Sequence, residues 1–321
     1  MYIMSDKDTA VLLLSHGSSL SYGKKVFTEI CEKFKDKTDF DAEVGYMKVE
    51  KPNMAQAIDL LKLRNPYLSR IIAIPVFLAS GIHTNIDIPL ILGLEPKEQD
   101  PRQPDGVYPE GHYLHDLDEI DFDGEILLED AIGANPKLID IINNRVETAL
   151  KQSKLNDAKT GVLLISHGSR LKYNKEFISA VFQQYEAQTD YPSGFGFMEL
   201  AEPNITDSAN FLIKENDLQR LVVVPVFIAP GVHTKIDIKT ILNLIYDERN
   251  DGIKVDESKN NRRSQDISLN KIILEEDPDH AHKYDDPLEF DGEVLYPDPI
   301  GSDDILVDIL VEIFKERLNK F

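Results

Sequence analysis

The chain of 321 residues has one cysteine, no tryptophan and no long apolar run. Cys31 alone can close no internal disulfide and leaves no CxxC pair for a thiolate zinc site, so a reducing compartment, the cytoplasm, is expected. No stretch approaches the roughly eighteen apolar residues of a spanning helix. The start, "MYIMSDKDTAVLLLSHG", has no basic region ahead of its four-residue apolar run, so neither a membrane nor a secretory leader is expected. Basic residues are scarce: 35 Lys and Arg stand against 57 Asp and Glu, a net charge of -22. Gripping nucleic acid needs clustered cations on one face, so that class of partner is excluded. The glycine-rich signatures G-x-G-x-x-G and G-x-x-x-x-G-K-[ST] are missing, and with them the usual grounds for a nucleotide. So is the G-x-S-x-G elbow; Ser18 and Ser169 sit beside a histidine instead, which leaves a Ser–His–Asp hydrolase poorly supported.

What is present is a duplication. "PVFLASGIHTNIDI" (75–88) returns as "PVFIAPGVHTKIDI" (225–238), with ten of fourteen positions identical. "AVLLLSHGSSLSYGKK" (10–25) matches "GVLLISHGSRLKYNKE" (161–176), and "VGYMKVEKPNMAQAIDLL" (44–61) matches "FGFMELAEPNITDSANFL" (195–212). "FDGEILLEDAIGANPKLIDII" (122–142) matches "FDGEVLYPDPIGSDDILVDIL" (290–310). Recurrence of the blocks in one order, at offsets of 150 or 151 residues for the first three and 168 for the last, indicates two fused copies rather than a solenoid. The expected domains are 1–152 and 153–321, each long enough to bury its own core.

Within each copy, short β-branched runs such as "IIAIPVF" and "LVVVPVF" alternate with helix-like segments such as "GKKVFTEICEKFKDK". Near-continuous apolar strands between helices indicate a parallel sheet covered on both faces. The fold expected is α/β: two tandem doubly wound, flavodoxin-like domains. Ligands of such sheets bind beyond the carboxyl ends of the strands. His16 and His167 follow the first strand of their copies, and His83 and His233 follow the third, so each pair is expected at one sheet edge.

A neutral imidazole suits Co, Ni or Zn and, with a pKa near neutrality, also accepts protons. Two histidines on one crevice can therefore hold a metal and take protons from whatever receives it. Gly81 and Gly231 would let backbone approach a ligand. Asp87 and Asp237 are read either as helix N-caps, the preferred reading, or as carboxylates orienting the histidines.

These residues resemble the class II tetrapyrrole chelatases, specifically the sirohydrochlorin cobaltochelatases in their long, two-repeat form. The elements that carry the resemblance read "HGSSLSY", "MKVEKP" and "GIHTNIDIP" in the first copy and "HGSRLKY", "MELAEP" and "GVHTKIDIK" in the second. The resemblance implies a lyase that inserts Co²⁺, or Ni²⁺, into metal-free sirohydrochlorin for cobalamin or a related tetrapyrrole, releasing two pyrrole protons, with no nucleotide and no cofactor beyond the substrate metal. By position it implies His16 and His167 as metal ligands and proton acceptors, His83 and His233 as the second metal ligands, and Glu199 as a catalytic carboxylate. It places Leu78, Ala79, Ser80, Gly81 and Ile82, with Ile228, Ala229, Pro230, Gly231 and Val232, along the macrocycle. Fe²⁺ insertion toward sirohaem is the near alternative; a non-enzymatic metal carrier is the distant one. A fused pair of repeats can work as a monomer.

Lys48 replaces the expected glutamate in the first copy. Strand alternation would put Glu50 on the same face as a substitute, and the second copy is read as the more complete set. Lys48 and Arg170 are candidate contacts for the eight carboxylates of sirohydrochlorin, as are Lys24, Lys25, Lys172 and Lys175. Two acidic insertions, about 94–121 and 247–289, carry His112, His115, His280 and His282. They are read as solvated loops, with metal loading by the histidines as the alternative.

Overall fold

The computed structural model describes residues 8–17, 21–103, 105–115, 117–245 and 287–320. The first copy runs β1 (Thr9–Ser15), α1 (Ser21–Thr38), β2 (Ala42–Tyr46), α2 (Met54–Arg64), β3 (Arg70–Pro75), a π-helical turn (His83–Asp87), α3 (Ile88–Ile91), β4 (Glu125–Leu128) and α4 (Leu138–Leu150). The second repeats it as β5 (Thr160–Ser166), α5 (Lys172–Glu186), β6 (Ser193–Phe197), α6 (Ile205–Asn216), β7 (Arg220–Pro225), a π-helical turn (His233–Asp237), α7 (Ile238–Ile241), β8 (Glu293–Leu295) and α8 (Asp304–Leu318). Each copy forms one four-stranded sheet, ordered β2-β1-β3-β4 or β6-β5-β7-β8, and every pairing is parallel. The expected α/β class and duplication are thus what the chain adopts.

All seven residues of β1 and all seven of β5 are buried. Both faces are covered, which is why these strands read as unbroken apolar runs rather than alternating ones. On one face of the first sheet, Leu12, Leu14, Ile71 and Ala73 pack with Met54, Ile58 and Leu61 of α2. The repeated "PN" explains how that helix starts. Asn53 Oδ1 accepts from the Gln56 amide at 2.9 Å, and Asn204 Oδ1 from the Asp207 amide at 2.7 Å, each capping its helix. Cys31 is buried, and burial pushes its thiol up to about 12, so it stays protonated.

The two compact units are not the two sequence repeats. One comprises Met1–Leu138 with Ser302–Phe321, and the other Ile139–Gly301. Helix α4 therefore belongs with the second sheet and α8 with the first, whereas the duplication itself divides near residue 152. In the first unit Phe314 of α8 meets Phe34 and Phe40 edge-on at 5.6 and 4.8 Å between ring centroids. Lys33 donates to Asp304 at 2.8 Å. In the second, Arg145 of α4 donates to the carbonyls of Pro299 and Ile300 at 3.1 and 2.6 Å. An amphipathic helix has the same periodicity whichever sheet it covers, so the exchange leaves no mark in sequence pattern.

The insertion at 94–121 departs from the solvated-loop expectation. Tyr113 and Ile120 pack on the first core, Leu114 is 6% exposed, and Asp100, despite its charge, is 7% exposed. Among the described residues no helix is long and apolar enough to cross a membrane.

Candidate functional site

The strand register brings Ser15 beside Tyr46 and Leu14 beside Pro75, so β1, β2 and β3 end on one edge. His16 leaves the sheet there, and His83 opens the π-helical turn beyond β3. Two backbone bonds fix what lies next to His16: the amides of Met47 and Lys48 donate to the carbonyls of Ser15 and His16 at 2.9 and 3.0 Å. The second unit repeats them with Met198 and Glu199 on Ser166 and His167, at 2.9 and 3.0 Å. The glycine of "HG" is required by this approach. A Cβ on Gly17 would fall 1.9 Å from the Lys48 carbonyl oxygen, and one on Gly168 would fall 1.7 Å from that of Glu199. Both glycines also have φ near +90°, at +85° and +95°.

In the second unit the imidazoles converge. His167 Nδ1–H donates to the Gly168 carbonyl at 3.1 Å, and His233 Nδ1–H to Asp237 Oδ2 at 2.8 Å. Carbonyl and carboxylate oxygens only accept, so these bonds assign a hydrogen to Nδ1 on both rings, and in the neutral form each Nε2 keeps its lone pair. The two Nε2 atoms face each other at 3.3 Å. Glu199 Oε1 lies 3.5 Å from His167 Nε2. Two bonds of about 2.0–2.1 Å from imidazole to one divalent ion, opened at a tetrahedral angle, would separate the nitrogens by about 3.3 Å. Asp237 is fully buried. Asn174 Oδ1 accepts from the Gly168 amide and the Ser166 hydroxyl at 3.1 and 3.0 Å, holding the turn from α5.

The first unit keeps the scaffold with different charges. His16 and His83 rings lie 4.9 Å apart between centroids, tilted by 59°. His16 Nδ1–H donates to the Gly17 carbonyl at 2.8 Å, and His83 Nδ1–H to Asp87 Oδ2 at 2.5 Å. Asp87 also takes hydrogen bonds from the Arg102 guanidinium and the Tyr113 hydroxyl, both supplied by the insertion. Burial alone would raise the Asp87 pKa; the hydrogen bonds of His83, Arg102 and Tyr113 outweigh it and hold the carboxyl below its ordinary range. Arg102 also grips Asp100, whose carboxyl is thereby lowered to about 2. Lys48 occupies the place of Glu199, with its ammonium 4.0 Å from the centroid of the Tyr113 ring. The His16 ring keeps a solvent-facing edge, yet desolvation, aided by the charges of His83 and Lys48, lowers its pKa to about 4.

Several expectations change. Neither Asp87 nor Asp237 caps a helix with its side chain; both instead bind the histidine four residues before them. Glu50 does not take the place of Glu199. β2 ends at Tyr46, so strand alternation no longer applies at residue 50, and its carboxylate lies 3.5 Å from Lys24 Nζ. Lys24 also donates to the Lys51 carbonyl at 2.9 Å, while Lys25 and Lys172 lie 3.9 and 3.3 Å from Glu29 and Glu176. Arg170 and Lys175 are exposed. His112 is stacked between Tyr108 and Tyr113 at 4.9 and 4.6 Å, and its Nδ1 accepts from the Leu114 amide at 3.2 Å. That is a packing role inside the insertion. His115 is exposed. Among the described residues no group of three or more His, Cys, Asp or Glu side chains is arranged to enclose a metal. Ser18, His280 and His282 lie outside the described residues.

The two turns lie beyond the ends of β3 and β7. Leu78, Ala79, Gly81 and Ile82 are half-buried and Ser80 is exposed; in the second unit Ala229, Pro230 and Gly231 are half-buried, while Ile228 and Val232 are 9% and 8% exposed. Thr84 and Thr234 close the turns by accepting from the amides of Gly81 and Gly231 at 2.9 and 3.0 Å. A Cβ on either glycine would meet no protein atom within 4 Å. Val49 and Leu200 are apolar, 74% and 52% exposed, and left-handed at φ +60° and +59°. Such strained, exposed apolar residues beside the histidines are a signal that sequence does not carry. Sequence does not reveal Arg102 and Tyr113, which join from the insertion, or Asn174, whose side chain turns back on its own block.

A family model described as CbiX matches residues 10–149 and again 161–317. A sirohydrochlorin cobaltochelatase of Methanothermobacter thermautotrophicus is 38% identical over 144 residues, covering 44% of this chain and 92% of that protein. One of Methanopyrus kandleri is 37% identical over 160 residues, 50% of this chain and 97% of that protein. Among solved structures, SirB from Bacillus subtilis with Fe³⁺ aligns over 96% of this chain and 95% of its own, with TM-score 0.59 and 13% identity. The structure of CbiX described as the terminal enzyme for biosynthesis of siroheme in denitrifying bacteria aligns over 96% and 98%, with TM-score 0.50 and 14% identity. At such identities the likeness is one of fold.

Proposed function

The chain belongs to the CbiX family, matched over both of its repeats, and from that premise we propose that it inserts a divalent metal, Co²⁺, into sirohydrochlorin. The observation that carries this reading is the facing pair of Nε2 lone pairs at 3.3 Å in the second unit, both Nδ1 hydrogens being committed elsewhere. Two lone pairs in that arrangement favour a cation between them, either a proton or a metal ion. The names of the curated relatives support both the substrate and the metal.

The metal is substrate here. His167 and His233 hold it by Nε2, and two protein ligands leave its remaining positions to the pyrrole nitrogens of the macrocycle. Asp237 keeps His233 in the tautomer that presents Nε2. As the ion enters the ring two pyrrole protons leave, and the vacated Nε2 atoms, with Glu199 beside His167, receive them. Backbone at Ile228–Val232 is open to the macrocycle because Gly231 adds no side chain. No nucleotide takes part. The fused repeats work as a monomer in the cytoplasm. Imidazole ligands suit Ni²⁺ as well as Co²⁺, so the choice of Co²⁺ rests on the relatives.

The test is anaerobic incubation with sirohydrochlorin and Co²⁺, Ni²⁺ or Fe²⁺, followed by absorbance against a no-enzyme control. Co²⁺ insertion is expected to be accelerated, and to collapse in His167→Ala while surviving in His16→Ala. Metal binding without faster insertion of any of the three ions would overturn the chelatase reading in favour of a metal carrier.

A further inference from the structure

The two units carry opposite charges at one matched backbone position. Lys48 and Glu199 occupy the same place, each amide on the carbonyl of the site histidine at 3.0 Å. The substitution replaces a carboxylate by an ammonium beside the imidazole pair. In the first unit the insertion adds a second cation, Arg102, and spends it on Asp87 and Asp100. Lys48 itself is half-buried and, among the described residues, makes no ion pair; its ammonium rests on the face of Tyr113.

Lys48 also lines a cleft of about 540 Å³, within the range that small-molecule ligands occupy. Met47, Val49, Ile91, Tyr113 and Leu117 give it apolar walls. Its two carboxylates are already engaged, Glu50 by Lys24 at 3.5 Å and Asp118 by the side-chain amide of Asn53. What remains is a largely apolar cleft lined by two cations that make no ion pair among the described residues, half-buried Lys48 and exposed Lys51. Val49, one of the lining residues, is exposed and held at φ +60°. A flat, apolar ligand edge bearing a carboxylate matches that cleft; a divalent cation, repelled by Lys48, does not.

We infer that the first unit is not a second metal-transfer site but an anion-binding one, in which Lys48 holds a carboxylate of the metal-free tetrapyrrole whose edge lies in this cleft. The inference rests on the proposed substrate class and concerns the first unit alone.

The test reads binding, not turnover. Uroporphyrin I, a metal-free octacarboxylate, is titrated against wild type, Lys48→Gln and Lys48→Arg by porphyrin fluorescence. Lys48→Gln should weaken binding about tenfold, the scale of one lost charge-assisted hydrogen bond, and Lys48→Arg should keep it within about threefold. In parallel, Co²⁺ is titrated by calorimetry. The tight site should disappear in His167→Ala/His233→Ala and return when Lys48→Glu is added to that pair. Uroporphyrin affinity unmoved by Lys48→Gln would overturn the inference. So would tight Co²⁺ binding that survives His167→Ala/His233→Ala, or failure of Lys48→Glu to restore it. Lys48-dependent binding without metal insertion by wild type would instead fault the chelatase reading; insertion with no Lys48 dependence would fault this one.

Discussion

Asp237→Asn isolates the role of the buried carboxylate with almost no change of shape. Asp237 is fully buried, with Oδ2 2.8 Å from His233 Nδ1. As a carboxylate it can only accept, and so holds the hydrogen on Nδ1 and the lone pair on Nε2. An asparagine can turn its NH₂ toward Nδ1, which drives the hydrogen to Nε2 and removes the lone pair that faces His167. Losing such an orienting partner typically costs 10–100-fold in metal affinity or activity, about 1.4–2.7 kcal/mol. The first unit supplies an internal control, since Asp87 is equally buried and binds His83 at 2.5 Å. Asp87→Asn should leave Co²⁺ affinity and insertion within about threefold. It should cost about 1–3 kcal/mol of stability, because Arg102 and Tyr113 lose a charged partner in a buried place. The assays are Co²⁺ titration against a competing chelator, the insertion rate, and thermal unfolding of both variants. Equal losses of affinity in the two variants, or none in Asp237→Asn, would refute the argument.

Gly168→Ala should abolish insertion and destabilise the protein by about 3 kcal/mol or more in denaturant titration, since its Cβ would fall 1.7 Å from the Glu199 carbonyl at a φ of +95°. His16 should titrate near 4 in ring-proton NMR, and His16→Ala should flatten part of the stability–pH curve. The sign follows from the lowered pKa: the unfolded chain takes up a proton below about 6.5 while the folded protein stays neutral, so stability falls as pH drops from about 6.5 to about 4. The fragment 1–152 retains α4, which packs in the second unit, and lacks α8, which completes the first. It should sediment as a dimer that exchanges α4, or fail to unfold cooperatively; a stable, cooperative monomer would show that α4 substitutes for α8 in cis.

The chemistry was legible wherever it lay in a short stretch tied to a strand end. The apolar runs predicted parallel strands, and parallel strands put His16 with His83, and His167 with His233, at one edge before any coordinate is known. What was not legible depended on chain returning from elsewhere. Arg102 stands fifteen residues beyond Asp87 in a segment whose acidic composition reads as solvated, yet it meets that carboxylate. Asp87 itself, four residues after His83, fits a cap or an orienter equally by spacing; only the extra turn of π-helix before α3 decides. Glu50 was misplaced because alternation was carried past the end of β2, into a segment where Val49 is left-handed.

Residue 48, or 199, contributes to the fold through its backbone: the amide donates to the histidine carbonyl, and its own carbonyl covers the glycine of "HG". Neither contact involves the side chain, so the charge there can change sign while the scaffold stays. The "GxHT" turn and the Asp that orients its histidine lack that freedom, because their side chains close the turn and fix the ring. This is a physical reason for two copies to diverge at residue 48 while retaining all four histidines. Glu199→Lys puts the argument to the test by giving the second unit the first unit's residue. Its stability should stay within about 0.5 kcal/mol of wild type, as for a substitution outside the core and caps. Co²⁺ affinity should fall at least a hundredfold, because the exchange places a cation where a carboxylate stood beside His167. Unfolding by denaturant and Co²⁺ titration on the same preparation separate the two effects. A large loss of stability would mean that the Glu199 side chain holds the fold, and unchanged Co²⁺ affinity would mean that the charge at this position does not govern the metal.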